Sequence, residues 1–222
     1  MNELREILTA WRSLTGPSRD SVLATVVHVT GSAYRRPGAR MLIVPDGRRI
    51  GSVSGGCLEG EVAKKAWWFT GSRTPVLRVY DTSSDEEAAW EFGLGCNGIV
   101  EILLERVDTP AAAQMLSFLD AHQASRAPAV VATVLRGGTL KVGDRLLVDS
   151  GGVHGGSLAG SVAALQILPH ARTALAEKSS RVVSMGDIDV FVEWIGPTLP
   201  LVVFGAGHDA IPLVAVAGQL GW

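Results

Sequence analysis

Cysteine is nearly missing from this chain: Cys57 and Cys96 are the only two in 222 residues. No uninterrupted apolar run approaches the ~18 residues that cross a bilayer as a helix. The amino-terminal stretch lacks the positive-then-apolar order of a secretory leader, since Glu3 and Glu6 stand where that order would begin. The expected location is therefore cytoplasmic, and in that reducing compartment a Cys57–Cys96 disulfide is not expected. Basic blocks are missing too, and with a net charge of −2 nothing points to nucleic acid or to an anionic membrane surface. The histidines His28, His122, His154, His170 and His208 do not fall at metal-ligand spacing with either cysteine, which argues against a zinc site. There is no G-x-S-x-G elbow, Walker string or H-E-x-x-H, so the common hydrolase, P-loop and zincin chemistries have no carrier here.

What the chain has in excess is glycine, 26 residues or about 12% against a usual level of about 7%. Both cysteines sit in glycine-rich strings, Ser54-Gly55-Gly56-Cys57-Leu58-Glu59 and Gly93-Leu94-Gly95-Cys96-Asn97-Gly98. Glycine lets a backbone approach a ligand, and cysteine supplies a soft nucleophile, so the pairing points to function rather than to core filler. Cys57 stands where a helix begins near Leu58; the helix dipole and unpaired N–H groups there favour a thiolate and suit a phosphate. Glu59 opposes this if it points at the sulfur, or else simply favours the helix start. Cys96 precedes a strand, and Asn97-Gly98 is a turn pair sufficient in itself as a structural feature. Arg35 and Arg36, in a Pro-Gly loop, could fork onto phosphate oxygens.

Leu4, Ile7, Leu8, Trp11 and Leu14 recur at helical spacing and predict an amphipathic helix. Strands are expected over 22–30, 40–44, 49–54, 76–80 and 99–107, with a helix from Leu58 to Phe69, an acidic loop over 81–87, and a second helix over 111–123 after Thr109-Pro110. Blocks of the first half recur in the second. Ala24-Thr25-Val26-Val27 is echoed by Ala132-Thr133-Val134-Leu135, Gly38-Ala39-Arg40 by Gly143-Asp144-Arg145, and Gly51-Ser52-Val53-Ser54-Gly55 by Gly156-Ser157-Leu158-Ala159-Gly160. Ile102-Leu103-Leu104-Glu105 has its partner in Val190-Phe191-Val192-Glu193. The expected fold class is mixed α/β (α+β), an internally duplicated β-β-β-α-β domain over 1–196 with repeats at about 20–107 and 128–195, the seam between them forming a natural cleft.

Pro197-Thr198-Leu199-Pro200 reads as a linker over 197–200. Beyond it, residues 201–222 read as an apolar strand, a glycine turn with Gly205, Gly207 and His208, and a helix: the opening βα of a Rossmann-like domain. The acidic residue that would hold a ribose has no position in this sequence, so NAD(P) binding by this chain alone is not expected. The apolar segment from Leu201 to Leu220 needs burial, which suggests a homodimer.

Gly31-Ser32, Arg36-Pro37-Gly38-Ala39, Met41, Gly51 to Glu59, Gly93 to Gly98, and Phe204-Gly205-Ala206-Gly207-His208 together resemble the XdhC/CoxI family. The resemblance implies an accessory protein for xanthine dehydrogenase, carbon monoxide dehydrogenase or a related molybdenum hydroxylase. Such a protein binds the molybdenum cofactor (molybdopterin), shields it during sulfuration and helps insert it into the apo-hydroxylase, its principal partner, with a cysteine desulfurase as another. It is a cofactor-binding chaperone more than a catalyst. The resemblance assigns cofactor contacts to Cys57, Cys96, Gly55, Gly56, Glu59, Arg36 and Asn97, with both thiols facing molybdenum. It also implies a truncated Rossmann-like domain, since family members usually continue past the first βα. Two other classes stay open: a NAD(P)-dependent oxidoreductase with a cysteine-containing site, and an interaction domain whose cysteines are inert.

Overall fold

The structure, a computed structural model, describes residues 2–56, 58–81 and 98–222. Two five-stranded antiparallel sheets form the frame. The first holds β1 (Val22–Gly31), β2 (Arg40–Ile43), β3 (Arg49–Gly51), β4 (Val76–Asp81) and β5 (Gly98–Arg106). The second holds β6 (Ala129–Arg136), β7 (Arg145–Asp149), β8 (Gly152–Gly155), β9 (Arg181–Met185) and β10 (Ile188–Ile195). Strand order is β3-β2-β1-β5-β4 in one and β8-β7-β6-β10-β9 in the other, the same order with every strand replaced by its repeat. The mixed α+β class and its internal duplication are thus both present.

The repeat differs from expectation in one respect: each unit is β-β-β-α-β-β, with five strands. In the second unit the additional strand is β9, whose Arg181-Val182-Val183-Ser184-Met185 is half-buried at a sheet edge. It therefore lacks the apolar run that marks Val190–Glu193. His154 lies in β8.

Alternation along the central strands explains the layering, because successive side chains in a strand face opposite ways. Val22, Ala24 and Val26 pack with Val62 and Ala66 of helix α2 (Glu59–Phe69). Their counterparts Val130, Ala132 and Val134 pack with Ile167, Ala171 and Ala174 of helix α4 (Val162–Glu177). The opposite faces meet each other: Val27 and Leu103 join Leu135 and Phe191 at the seam. Beside it, Leu23, Leu42, Val131 and Leu147 share a core with helix α1 (Asn2–Ser13), through Ile7 and Leu8, and with helix α3 (Pro110–Ser125), through Met115, Leu116 and Leu119. The amphipathic reading of α1 holds. Thr109 caps α3 by accepting the N–H of Ala112, with Pro110 at its first turn as the sequence implied.

Past the linker, the strand expected at Leu201–Phe204 is absent. That stretch has no ladder partner among the described residues, and a strand exists only through pairing. A helix does form, α5 (Ala210–Gln219), with only Ala217 of it buried. No helix among the described residues is long and apolar enough to cross a membrane.

Candidate functional site

The repeat equates Thr25 and Arg40, which pair across β1 and β2, with Thr133 and Arg145 across β6 and β7. It equates Leu23 and Glu105 with Val131 and Glu193. The offset, 105 residues from Arg40 to Arg145, falls to 88 from Glu105 to Glu193. The difference lies in one place: residues 82–97 separate β4 from β5, whereas Gly186 and Asp187 alone separate β9 from β10. Cys96 therefore stands on a segment that the second copy does not have.

Register also sets where that segment attaches. Gly31 pairs with Gly98, Asp81 with Ile99, and Gly51 with Met41, so loop 32–39, loop 52–58 and both flanks of 82–97 leave the same end of the first sheet. The described flanks of both cysteine strings lie at that end. Cys57, Cys96 and Asn97 themselves lie outside the described residues, as do residues 82–87 of the acidic loop expected over 81–87, whereas Asp81 ends β4. Gly98 is fitted against β1: a Cβ there would come within 2.6 Å of the Ser32 carbonyl oxygen and 2.7 Å of that of Thr30.

The loop that carries Cys57 is held by Glu59. Oε1 of Glu59 accepts the Ser52 hydroxyl at 2.7 Å, the Ser54 N–H at 2.8 Å and the Val53 N–H at 3.2 Å. Oε2 accepts the Ser54 hydroxyl, whose oxygen in turn accepts the N–H groups of Leu58 (3.1 Å) and Gly56 (3.2 Å). Burial pushes the Glu59 carboxyl up, but the Ser54 and Ser52 hydroxyls and the Ser54 N–H more than offset it and hold the group below the ordinary glutamate range. Glu59 thus stays ionised and acts on the loop. Four N–H groups of the loop are used internally, that of Leu58 at the helix start among them.

Nothing like this exists in the second copy. Ser54, Cys57 and Glu59 are matched there by Ala159, Val162 and Ala164. At the matching helix start Ser161 accepts the N–H of Ala164, an ordinary cap, where the first copy has Gly56. Gly51 and Gly156, by contrast, are shared: a Cβ on either would sit 2.3 Å from the carbonyl oxygen of Arg40 or Arg145, and both have positive φ.

Of the other expected residues, Gly55 gives its space to Tyr34, whose ring lies 2.9 Å from where a Cβ would be, rather than to a ligand. Gly56 has φ +118° and open space beside it. Arg36 is exposed and makes no ion pair among the described residues, while Arg35 is tied to Glu3 of α1. Gly205, Gly207 and His208 are exposed at the start of α5, on the far side of the linker from the cysteine loop in sequence. No group of three His, Cys, Asp or Glu side chains suited to a metal ion occurs among the described residues.

Tyr34 links the cysteine loop to a cleft of about 820 Å³ at the seam, between loop 34–40, α1 and the residues that follow β10. Its wall includes Arg40, whose guanidinium donates to both oxygens of Glu193 at 2.7 and 2.5 Å, and also Arg36, Lys178 and Trp194. The sequence reading missed Tyr34, Arg40, Lys178, Glu193 and Trp194. The repeat blocks held a signal for two of them, since Arg40 and Glu193 each recur at equivalent positions.

These features define an α+β protein of two fused β-β-β-α-β-β copies, one of which carries a carboxylate-braced Gly-Gly-Cys loop beside a seam cleft. Residues 17–81 match the XdhC and CoxI family. It is 30% identical over 214 residues, 95% of its length, to a Bacillus subtilis protein named as a probable xanthine dehydrogenase subunit. It is 34% identical over 90 residues to the Escherichia coli molybdenum cofactor insertion chaperone PaoD. A crystal structure described as a xanthine dehydrogenase from Bacillus halodurans superposes with a TM-score of 0.74 at 29% identity over 99% of this chain. The chain spans 60% of the length of the B. subtilis protein, 27% of PaoD and 60% of the B. halodurans chain.

Proposed function

We propose that this chain binds the molybdenum cofactor and serves in the maturation of a molybdenum hydroxylase, such as xanthine dehydrogenase or carbon monoxide dehydrogenase, as a chaperone rather than as the hydroxylase itself. The observation that carries this reading is the asymmetry of the duplication. Ser54, Cys57 and Glu59 of the cysteine loop lie on the first copy, and the second copy has Ala159, Val162 and Ala164 in their places. Similarity to a molybdenum cofactor insertion chaperone and to a protein named for xanthine dehydrogenase supports the same reading.

The residues fit such a ligand. Molybdopterin combines a phosphate, a polar fused ring and sulfur-bound molybdenum, and soft thiol donors suit the last of these. Cys57 and Cys96 are assigned as the thiols that meet it, Gly56 as the open backbone position between them and Arg36 as a cation for its anionic end. When bound, the cofactor supplies the redox-active metal centre that the hydroxylase later uses. Glu59 and Ser54 fix the backbone that leads to Cys57, and Gly98 is fitted against β1 at the end of the other string. In the cell the partners are an apo-hydroxylase and, for sulfuration, a cysteine desulfurase. The exposed apolar face of α5, with Ile211, Leu213, Val214 and Val216, is the surface on which a homodimer would form.

Titration of the protein with molybdenum cofactor, followed by the retained molybdenum and pterin, tests the proposal. The wild type should retain both, and a Cys57→Ala, Cys96→Ala variant at least tenfold less. Equal retention by the two overturns it.

A further inference from the structure

The two copies should produce two equivalent crevices at the seam, and they do not. On one side, the turn at Gly143 is packed on Pro75, the residue just before β4, so closely that a Cβ on Gly143 would lie 2.5 Å from the proline Cγ. Arg73, in left-handed conformation two residues earlier, pairs with Asp108 and Asp20. Arg106 fills the space behind them, donating to the Thr70 hydroxyl at 2.7 Å and pairing with Asp20. That crevice is sealed by its own side chains.

The equivalent positions on the other side are built differently. Gly143 becomes Gly38, and Pro75 becomes Ser180, just before β9. Arg73 becomes Lys178, also left-handed, Asp108 becomes Gly196 and Arg106 becomes Trp194. The proline plug, the acid and the long guanidinium are all replaced, and the 820 Å³ cleft stands where they would be. Its charges do not cancel. Among its lining residues Arg35 and Arg40 are matched by Glu3 and Glu193, which leaves Arg36 and Lys178 without an ion-pair partner among the described residues. Tyr34 and Trp194 add aromatic surface.

From this we infer that the Gly38-side cleft is a binding site for the phosphomonoester of a planar heterocycle, with Lys178 and Arg36 receiving the phosphate and Trp194 and Tyr34 flanking the ring. Two uncompensated cations and aromatic faces are complementary to such a ligand, and the volume is that of an ordinary small-molecule site. The inference rests on the cofactor reading only for which heterocycle is carried. It also answers the Glu59 network, which leaves little of the cysteine loop's N–H capacity for a phosphate.

Calorimetric titration of the full chain with GMP, guanosine and inorganic phosphate tests it. GMP should bind at least tenfold more tightly than guanosine. Lys178→Glu should weaken GMP at least tenfold, whereas Arg73→Glu, the equivalent change in the sealed crevice, should alter it less than twofold. Guanosine binding as well as GMP, binding of inorganic phosphate as tightly as GMP, or indifference to Lys178→Glu overturns the site. The Cys57→Ala, Cys96→Ala variant should bind GMP like the wild type, so failure of the cofactor reading would leave this result standing. Adding molybdenum cofactor separates the two ligand sources: displacement of GMP assigns the cleft to the pterin phosphate, and GMP held in its presence makes it a nucleotide site.

Discussion

Arg40 of β2 and Glu193 of β10 form a buried, two-pronged ion pair between the two copies, and the copies exchange it: Arg145 of β7 holds Glu105 of β5 at 2.8 and 2.6 Å. The side chains of all four are less than 8% exposed. A buried ion pair is costly to break from one side, because the remaining charge has neither water nor partner. Glu193→Ala and Glu105→Ala should each lower unfolding free energy by about 3–5 kcal/mol, read by urea denaturation. Replacing a whole pair with apolar residues, as in Arg40→Met with Glu193→Leu, should recover most of that loss. A double variant no more stable than the single one would show that the pair does not act as a unit.

Glycines that share a positive φ should differ sharply in their tolerance of a methyl group. Gly51→Ala and Gly156→Ala place a Cβ 2.3 Å from a backbone oxygen, whereas Gly47, with φ +90°, has open space beside it. Gly47→Ala should cost about 1–2 kcal/mol, the left-handed penalty alone. The other two should cost clearly more, since backbone must move as well. Equal midpoints for the three variants would contradict the close approach.

The ionised Glu59 gives the cysteine loop a pH dependence of definite sign. Because its folded-state pKa is lowered, its stabilisation is complete above the unfolded value of about 4.3 and is lost as pH falls through the folded one. Glu59→Gln should therefore be less stable than the wild type at neutral pH, by about 2 kcal/mol for the charge-assisted hydrogen bonds lost. The gap should close below about pH 4. A gap that stays constant from pH 7 to pH 3 would place the effect elsewhere.

Gly55 should tolerate a methyl group for folding but not for ligand binding. Its Cβ would meet only the flexible, exposed ring of Tyr34, which can swing aside. Gly55→Ala should shift the unfolding midpoint by less than about 1 kcal/mol while weakening cofactor retention several-fold. Undiminished retention would remove Tyr34 from the account.

Most of the first-copy fold was legible because its strands are rich in β-branched residues and its helices carry apolar residues at helical spacing, such as Leu58, Val62 and Ala66. The repeat was legible through Gly38-Ala39-Arg40 and Gly51-Ser52. The fifth strand of the second unit, Arg181–Met185, was not, since this edge strand carries no buried stripe, although its first-unit counterpart over 76–80 was. Nor was the fate of Leu201–Phe204, where apolar content alone mimics a strand that has nothing to pair with. At the site, the glycine loop and Arg36 were read from local composition. Lys178 and Trp194 were out of reach, because each is ordinary in its own neighbourhood and matters only for what its repeat counterpart, Arg73 or Arg106, does on the sealed side.

The central claim is that the cysteine loop of one copy was fitted to hold the molybdenum cofactor while the matching loop of the other copy stayed structural. The most direct measurement compares molybdenum and pterin retained per chain by Ser54→Ala, Glu59→Ala, which gives the first loop the residues of the second, with retention by Ser157→Ala in the second copy. The account predicts that the first variant, still folded, retains at least tenfold less cofactor than the wild type and that Ser157→Ala retains as much. Equal retention by both, or loss in Ser157→Ala alone, would contradict it.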